Sequence, residues 1–402
     1  MTSQPDQDAN PIRVLTFVNR YLPGNKGYGP VRSVSNLVDR IGKSISFFIV
    51  TQDRDLGDDS PYPMILPNQW QIVGNAKVRY LKPRSFGLAG LLMQLRFTQY
   101  DIIYLNGFFS PLTIRILCLR RSGLIPRRPI ILAPRGEFSP GALGLKSWKK
   151  RSFLKLAGIM GLYDNLVWQA TRLEEIAEIR RIMKNTAVST ERIFLSPNIP
   201  SRSPATRKPA HASAKKGLEL RIVFLSRITR VKNLHMALNL LQDLRGDISF
   251  DIYGPIEDLR YWAECQESIS ALKKNITVTF KGEVLPNQVA SVLAGYHLFI
   301  LPTRGENFGH VILEALTAGC LVLISDTTPW RNLAENGVGW DISLSDVSQW
   351  KRALEVMVQM NEDEFEDRSN RAMEYAQSFI NDESTSKNAF QMFRETSLDM
   401  TR

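Results

Sequence analysis

Short apolar runs alternate along this chain with segments in which apolar positions recur every three or four residues. The first pattern is typical of buried strands and the second of amphipathic helices. In the first half of the chain we predict strands at RVLTFV, SFFIVT, KVRYL, DIIYLN, PIILAP, LVWQAT and RIFLSP. In the second half we predict strands at LRIVFLS, SFDIYG, TVTFKG, HLFILP, CLVLIS and GVGWDIS. Strands that alternate with helices indicate an α/β fold with parallel sheets covered on both faces.

Residues 201–217 interrupt this alternation. Their sequence, SRSPATRKPAHASAKKG, has no large apolar residue, so we predict a flexible basic linker. Because 402 residues exceed one comfortable core, two domains are expected. We predict Rossmann-like domains over residues 1–200 and 218–382, facing each other across a cleft. Residues 383–402 are predicted to form a final helix that packs back on the first domain.

The segment LPTRGENFGHVILEALTAGCLVLISD places two glutamates across a predicted loop-to-helix junction. Glu306 precedes the helix, Glu314 lies inside it, and Gly309 between them permits close backbone approach. Open α/β folds bind ligands at the carboxyl edge of the sheet, and a helix start offers free amide donors to an anion. We therefore expect a phosphate-bearing ligand here. Two solvated glutamates are the alternative that the spacing alone leaves open.

A basic pair, Arg227 and Lys232, follows the first strand of the second half. This position brings both residues to the sheet edge of the Glu306 loop. An arginine can hold a phosphate with a fork of donors, whereas a lysine acts as a compact charge. Taken alone, the pair is more typical of exposed surface charge, but together with Glu306 and Glu314 it favours a diphosphate site.

This combination resembles the retaining glycosyltransferases of family 4, also called group 1, which have the two-domain GT-B architecture. The resemblance extends through most of the chain and is tightest over residues 220–340. It implies that Arg227 and Lys232 bind the pyrophosphate of a sugar nucleotide. It also implies that Glu306 lies at the transferred sugar and that Glu314 bonds the ribose hydroxyls.

The same resemblance implies further donor-binding residues in both domains. One loop is expected to meet the sugar and phosphate through its backbone, and two strand ends are expected to hold the nucleobase. The loop comprises Phe308, Gly309 and His310, and the strand ends contribute Gly254, Gly282 and Val284. In the first domain, NKGYGPVRSVSNL resembles the glycine-rich loop that approaches donor and acceptor, with Gly27 and Gly29 at its critical positions.

Two other segments, PRGEFSPGALGLK and TTPWRNLAENGVGWDI, resemble a subset of the family that builds bacterial surface polysaccharides. One departure concerns the acceptor side. Many relatives carry a histidine after the strand PIILAP, whereas Arg135, Gly136 and Glu137 stand there in this chain. Arg135 is expected either to bind an acceptor phosphate or to pair with Glu137, and the acceptor-side acid/base residue is left unidentified.

The chemistry that the family implies is transfer of a sugar from a UDP-, GDP- or ADP-linked donor to a glycan or polyprenyl-diphosphate-linked glycan. Bond cleavage leaves negative charge on the nucleoside diphosphate. Arg227, Lys232 and the helix start at Gly309 can stabilise that charge without a metal. A carboxylate such as Glu306 can stabilise the oxocarbenium-like state. No cofactor besides the donor substrate is expected.

The charge of the chain is uneven. Residues 1–200 hold 28 Lys and Arg against 14 Asp and Glu, whereas residues 218–402 hold 18 against 26. A basic first domain favours an anionic partner: a membrane leaflet, a phosphorylated lipid or nucleic acid.

A basic segment, LKSWKKRSFLKLAGI, is predicted to form a helix with Leu145, Trp148, Leu156 and Ile159 near one face. We expect this face either to lie on an anionic bilayer or to pack on the sheet. The bilayer interpretation gains support from nearby arginines, which are Arg115, Arg120, Arg121, Arg127 and Arg128.

The amino-terminal sequence MTSQPDQDANPIRVL has no apolar signal core, and no charge-free apolar run of about 18 residues occurs. We therefore predict a cytoplasmic protein, peripheral on the inner face of the membrane. Cys118, Cys265 and Cys320 lack metal-ligand spacing, so we predict reduced thiols. Asp53 and Asp55 form the Asp-x-Asp pattern of metal-dependent glycosyltransferases, but their acidic loop favours a solvated turn.

Three other functions are open. A nucleotide-sugar epimerase with the GT-B layout would consume the donor without an acceptor. A nucleic-acid-binding protein would explain the basic half, although no recognised helix-turn-helix, zinc-finger or aromatic RNA-binding signature occurs. A catalytically inactive homologue is less consistent with the retained basic and acidic pairs.

Overall fold

The computed structural model describes residues 11–24, 28–139, 143, 147–184, 188–202 and 215–398. These residues form two compact units. The first contains the described residues up to Ser201 together with those from Glu383 onward, and the second extends from Arg202 to Asp382. Most of the predicted linker lies outside the described residues. Lys215 near its end is buried and donates to the carbonyl oxygen of Val358 at 2.9 Å, so the linker prediction is wrong at that residue.

The first unit is built on an eight-stranded sheet in the order β3-β4-β2-β1-β5-β6-β7-β8. All neighbours are parallel except β3 and β4. The strands are β1 (Ile12–Phe17), β2 (Ile45–Gln52), β3 (Trp70–Val73), β4 (Ala76–Leu81), β5 (Ile102–Asn106), β6 (Ile130–Ala133), β7 (Val167–Ala170) and β8 (Ile193–Leu195). The helices are α1 (Tyr28–Ile41), α2 (Leu88–Phe97), α3 (Pro111–Arg121), α4 (Ser147–Ile159), α5 (Leu173–Met183) and α12 (Ser384–Leu398), with a 3-10 turn at Pro83–Phe86.

The second unit has a six-stranded parallel sheet in the order β11-β10-β9-β12-β13-β14. The strands are β9 (Glu219–Leu225), β10 (Asp247–Tyr253), β11 (Ile276–Gly282), β12 (Leu298–Leu301), β13 (Leu321–Ser325) and β14 (Gly339–Ile342). The helices are α6 (Leu234–Leu241), α7 (Leu259–Ser270), α8 (Val289–Leu293), α9 (His310–Thr317), α10 (Val347–Gln359) and α11 (Glu362–Asn381). Every strand predicted from the sequence is present, and β3 is an addition.

The core of the second unit explains how α9 is oriented. Every residue of β12 and β13 is buried, as expected for parallel strands covered on both faces. Helix α9 buries Ile312, Leu313, Ala315 and Leu316 against this core. Glu314 therefore lies on the opposite, half-buried side of the helix. The helix ends before Gly319, as predicted.

Helix α12 packs within the first unit through a buried stripe that includes Met392 and Phe393. The Phe393 ring meets the rings of Phe47 and Tyr104 edge-on, with centroids 5.7 and 5.4 Å away. This contact joins the end of the chain to the middle of the first sheet.

Helix α4 buries a different face from the one considered in the sequence. Trp148, Leu156 and Ile159 are 69%, 58% and 77% exposed. Ala157 is buried, and Phe153 is partly buried against the core. The expectation that the Trp148 face packs on the sheet is therefore wrong. Within the described ranges, no helix combines the length and apolar composition needed to cross a membrane.

Candidate active site

The predicted donor-binding residues of the second unit follow the ends of neighbouring strands. Gly282 closes β11, Gly254 follows β10, Arg227 follows β9, and the loop that ends at Gly309 follows β12. Because these four strands are parallel and adjacent, all four positions lie along the carboxyl edge of the sheet. Val284 follows β11 by two residues and is partly buried against the core.

Gly254 allows two of these strand ends to come close together. Its φ is +132°, and a Cβ atom there would lie 2.0 Å from the carbonyl oxygen of Ser226. Its amide donates to the carbonyl oxygen of Gly282 at 2.8 Å. A side chain at this position would push apart the ends of β9 and β10.

Lys232 and Glu306 form an ion pair through Nζ and Oε2. Their side chains are only 11% and 19% exposed. The loops that carry them are joined by the Arg304 amide, which donates to the Val231 carbonyl oxygen at 2.7 Å. The second carboxylate oxygen of Glu306 accepts from the Asn307 amide at 3.1 Å. Contacts of both loops with each other and with the Asn307 amide therefore hold the pair in place.

The surroundings of Glu306 keep it ionised. Burial raises the pKa of its carboxyl, but the Lys232 ammonium, the Asn307 amide and the charge of His310 together lower the pKa below its ordinary value. A carboxylate stays negative at neutral pH under these conditions. It can therefore face a developing positive charge on a ligand.

This lowered pKa predicts a specific acid sensitivity. A carboxyl whose pKa is depressed by folding contributes stability above its unfolded pKa and loses that contribution as the pH falls through the folded pKa. We expect the free energy of unfolding of the wild type to fall more steeply than that of Glu306→Gln in the acid range below the ordinary glutamate pKa of about 4.3. Urea unfolding of both proteins across this range measures the difference. Parallel curves would contradict the lowered pKa.

The loop before α9 is fixed by an indole donor. Gly309 has a φ of +77°, and a Cβ atom there would lie 2.6 Å from Cδ1 of Ile312. Nε1 of the buried Trp330 donates to the Phe308 carbonyl oxygen at 2.6 Å. The Phe308 ring lies 5.8 Å from the Trp330 ring. Trp330 therefore positions the loop, although the sequence singled out only the segment that contains it.

His310 and Glu314 occupy the same side of α9. They are four residues apart, which places side chains one above the other on a helix, and both are half-buried. The His310 ring also lies 4.7 Å from the Phe308 ring. Glu306, His310 and Glu314 thus extend from the loop along the first turn of the helix.

Arg227 has a partner that the sequence did not indicate. Its NH1 atom lies 2.9 and 3.2 Å from the two carboxylate oxygens of Glu257, in the loop after β10. Both side chains are partly exposed. Arg227 lies at the carboxyl edge of the sheet, as predicted. Among the described residues it forms its ion pair with Glu257, whereas Glu306 pairs with Lys232.

Arg135 of the first unit is held by neutral groups. Nε donates to Oδ1 of Asn106 at 2.9 Å, and NH2 donates to the Tyr104 hydroxyl at 2.6 Å. NH1 donates to Oδ1 of Asn198. These partners come from β5 and from the segment after β8, so the guanidinium bridges the carboxyl edge of the first sheet.

Glu137 serves the loop after β5 instead of pairing with Arg135. Its Oε2 atom accepts from the Phe109 amide at 2.9 Å. Burial raises the pKa of its carboxyl, and the amides of Phe108 and Phe109 offset only part of that rise. The Arg135–Glu137 ion pair left open by the sequence is therefore not the arrangement that forms.

Two further predictions concern the glycine-rich loop and the Asp-x-Asp pattern. Gly27 lies outside the described residues, and Gly29 is in the first turn of α1 with nothing within 4 Å of an added Cβ. Asp53 and Asp55 are nearly fully buried. Asp53 accepts from Nε of Arg54 at 2.8 Å. The solvated-turn prediction is therefore wrong, since these carboxylates brace the loop after β2.

Comparison with known proteins agrees with this geometry. Residues 207–379 match the family model described as glycosyl transferases group 1. This range covers most of the second unit and all of its strands. The comparison with curated protein sequences gave no significant match.

Solved structures resemble the chain over nearly its full length. Sucrose-phosphate synthase from Thermosynechococcus elongatus has a TM-score of 0.70 at 15% identity, covering 97% of this chain and 100% of the other. Anabaena HepE in complex with UDP and glucose has a TM-score of 0.65 at 13% identity, with coverages of 97% and 99%. WaaG, a glycosyltransferase involved in lipopolysaccharide biosynthesis, has a TM-score of 0.64 at 14% identity, with coverages of 94% and 99%.

At these identities the structural likeness establishes the fold, which is GT-B. The family match covers the unit that carries Lys232, Glu306 and Glu314. The family match shows that residues 207–379 are similar to the group 1 glycosyl transferases.

Proposed function

We propose that this protein is a retaining glycosyltransferase that moves a sugar from a nucleotide-sugar donor to a glycan or lipid-linked glycan in bacterial polysaccharide biosynthesis. The observation that carries the proposal is the Lys232–Glu306 ion pair beside the start of α9. This arrangement brings a cation, a carboxylate and the amino-terminal end of a helix to one sheet edge. A sugar diphosphate has the complementary charges.

The positive groups act on the leaving nucleoside diphosphate. Cleavage of the sugar–phosphate bond concentrates negative charge on the terminal phosphate. Lys232 and the amides at the start of α9 stabilise this charge at fixed positions, which lowers the barrier without a rearrangement. Arg227 adds a fork of donors once a phosphate competes with Glu257 for it. In this proposal the charge is neutralised without a metal.

Glu306 acts on the sugar. Its oxygens are oriented by Lys232 and by the Asn307 amide, so the carboxylate keeps its position while the anomeric carbon becomes positive. A negative group at that point stabilises an oxocarbenium-like state. Glu314 bonds the ribose hydroxyls in this arrangement, and the loop from Phe308 to His310 contacts sugar and phosphate through its backbone.

Arg135 supplies the acceptor side in this proposal. The described hydrogen-bond partners of its guanidinium are two asparagines and a tyrosine, all neutral. They orient the group without neutralising it, so its charge is available to a phosphate of the acceptor. A polyprenyl-diphosphate-linked glycan has such a phosphate next to its sugar.

A donor panel tests the proposal. UDP-, GDP- and ADP-sugars are scored first by thermal shift, because a ligand that binds only the folded state raises the unfolding temperature. UDP-sugars come first because the HepE structure holds UDP and glucose. The expected result is stabilisation by one nucleotide class, followed by slow donor hydrolysis. An isomerised donor would favour an epimerase, and binding without turnover of any donor would contradict transfer.

The Arg227–Glu257 pair predicts a substitution that strengthens nucleoside diphosphate binding instead of weakening it. Glu257→Gln removes the carboxylate that competes with a bound phosphate for Arg227. We expect it to tighten nucleoside diphosphate binding by about twofold to fivefold, the effect of removing one partly exposed charge pair. Isothermal titration calorimetry measures this, with Glu267→Gln on α7 as the charge-matched control. Unchanged or weaker binding in Glu257→Gln would show that Arg227 does not hold the diphosphate.

A further inference from the structure

A basic cavity of about 240 Å³ lies in the first unit, away from Arg135. It is lined by the end of α3 and by residues that follow α4, including Arg120, Arg121, Arg127 and Asp164. Helix α3 leads to the start of β6, and α4 leads to the start of β7. The cavity therefore lies at the amino edge of the sheet. Arg135 follows the opposite end of β6, so the cavity is not part of the proposed acceptor site.

The cavity carries an excess of positive charge. Three of its lining side chains are guanidiniums and one, Asp164, is a carboxylate. The pKa of Arg120 is lowered by burial and then by the positive charge of Arg127, with Asp164 acting in the opposite sense. Arg120 and Arg127 thus repel each other inside the same cavity. An anion bound between them would relieve this repulsion.

Backbone carbonyls hold two of these guanidiniums in place. Arg120 donates to the carbonyl oxygens of Asp164 and Asn165 at 2.9 and 3.2 Å. Arg121 donates through Nε to the Met160 carbonyl oxygen at 2.8 Å. These bonds use only some of the five donors on each guanidinium. The remaining donors are pre-oriented, and such forks match the oxygens of a phosphate.

Exposed apolar side chains adjoin the cavity. Ile159 and Met160 directly precede Gly161 of its lining, and they are 77% and 43% exposed. Leu124 follows Arg121 by three residues and is 49% exposed. Leu156 continues the apolar surface along α4. A bilayer surface has anionic headgroups above an apolar acyl boundary. The arginines of the cavity are complementary to the headgroups, and the exposed apolar side chains beside them are complementary to the acyl boundary.

We propose that this cavity binds the phosphate group of an anionic phospholipid, with Ile159 and Met160 inserted at the acyl boundary beside it. Two of its arginines contact the phosphodiester, and the exposed face of α4 lies along the headgroups. The first unit is thereby held at the membrane surface. This site is independent of the proposed donor site, which lies in the second unit.

Vesicle flotation of the full chain tests this assignment. The cavity variant is Arg121→Gln with Arg127→Gln, which spares the more buried Arg120. Its charge-matched control is Lys43→Gln with Lys82→Gln. Both lysines are exposed, and they adjoin β2 and β4, which lie toward the opposite end of the strand order from β6 and β7. Vesicles contain phosphatidylcholine alone or with phosphatidylglycerol, at about 0.1 M salt where screening reaches roughly 10 Å. Circular dichroism and the unfolding temperature confirm that both variants are folded.

The expected result is binding of the wild type to anionic vesicles and a loss of partitioning at least tenfold larger in the cavity variant than in its control. Ile159→Ser is expected to weaken binding in the same assay without changing charge. Equal losses of vesicle binding in the cavity variant and in its control would mean that the overall positive charge of the protein attracts it to the vesicles, and this would refute the proposed site. So would absence of wild-type binding, or a cavity that binds inorganic phosphate or RNA but not vesicles.

Discussion

Glu306→Gln is expected to lower kcat by about a hundredfold to a thousandfold, the usual effect of losing one electrostatic group at a reacting centre. The amide is nearly the same shape as the carboxylate but has no charge to offer an oxocarbenium-like state. Nucleoside diphosphate binding should change by less than about threefold. Lys232 keeps its own charge in the variant, and the loss of a neighbouring anion does not weaken a phosphate contact. Donor hydrolysis measures kcat, and isothermal titration calorimetry measures binding.

The matched control is Glu267→Gln, an exposed position on α7. It makes the same chemical change far from the edge that carries Glu306, and both rate and affinity should stay at wild-type values. Equal losses of rate and of nucleotide affinity in Glu306→Gln would refute the role at the sugar. They would mean that Glu306 only shapes the phosphate site.

The central strands were predictable from the sequence because parallel strands covered on both faces, such as β12 and β13, are apolar without interruption. Strand β3 was missed for the opposite reason. It has four residues, pairs antiparallel at the sheet edge, and leaves Ile72 80% exposed. A signal was present in the two residues Gly74 and Asn75 between β3 and β4, a common hairpin sequence. The run before it was too short to establish an alternating pattern.

The sequence predicted that Lys232 and Glu306 lie at the same edge of the sheet, but it did not predict that they form an ion pair. The two residues are 74 positions apart, and each follows a strand of a parallel sheet. Their contact requires that β9 and β12 be neighbours, which is a property of the strand order. Glu257 was missed because nothing local distinguishes it from other exposed acids. Its importance arises from the adjacency of β9 and β10.

Helix α4 shows a different limit. Periodicity groups Trp148 with Ile159, and it also groups other apolar residues on a second stripe that includes Phe153 and Ala157. Sequence alone does not select which of two apolar stripes meets the core. The sheet selects the second stripe in the structure.

Lys232→Met is expected to lower catalytic efficiency, nucleotide affinity and stability together. It removes the cation proposed to hold the diphosphate, so kcat/KM should fall by at least about a hundredfold, with a clear loss of nucleoside diphosphate affinity. It also leaves the largely buried Glu306 carboxylate without its partner. We expect a loss of about 1–3 kcal/mol in the free energy of unfolding at neutral pH, the usual cost of a buried group left unsatisfied. The pKa of Glu306 should rise, because burial then acts without the opposing ammonium.

A double-mutant cycle separates these two effects. Adding Glu306→Gln to Lys232→Met removes the stranded carboxylate, so part of the lost stability should return while activity stays low. Lys274→Met, at an exposed position of the same unit, is the control for the substitution itself. Urea unfolding measures stability, and calorimetry with the nucleoside diphosphate measures affinity. Additive losses of stability would show that the two groups are not coupled. Wild-type affinity in Lys232→Met would show that the ammonium serves Glu306 alone and that the diphosphate is held elsewhere along the sheet edge.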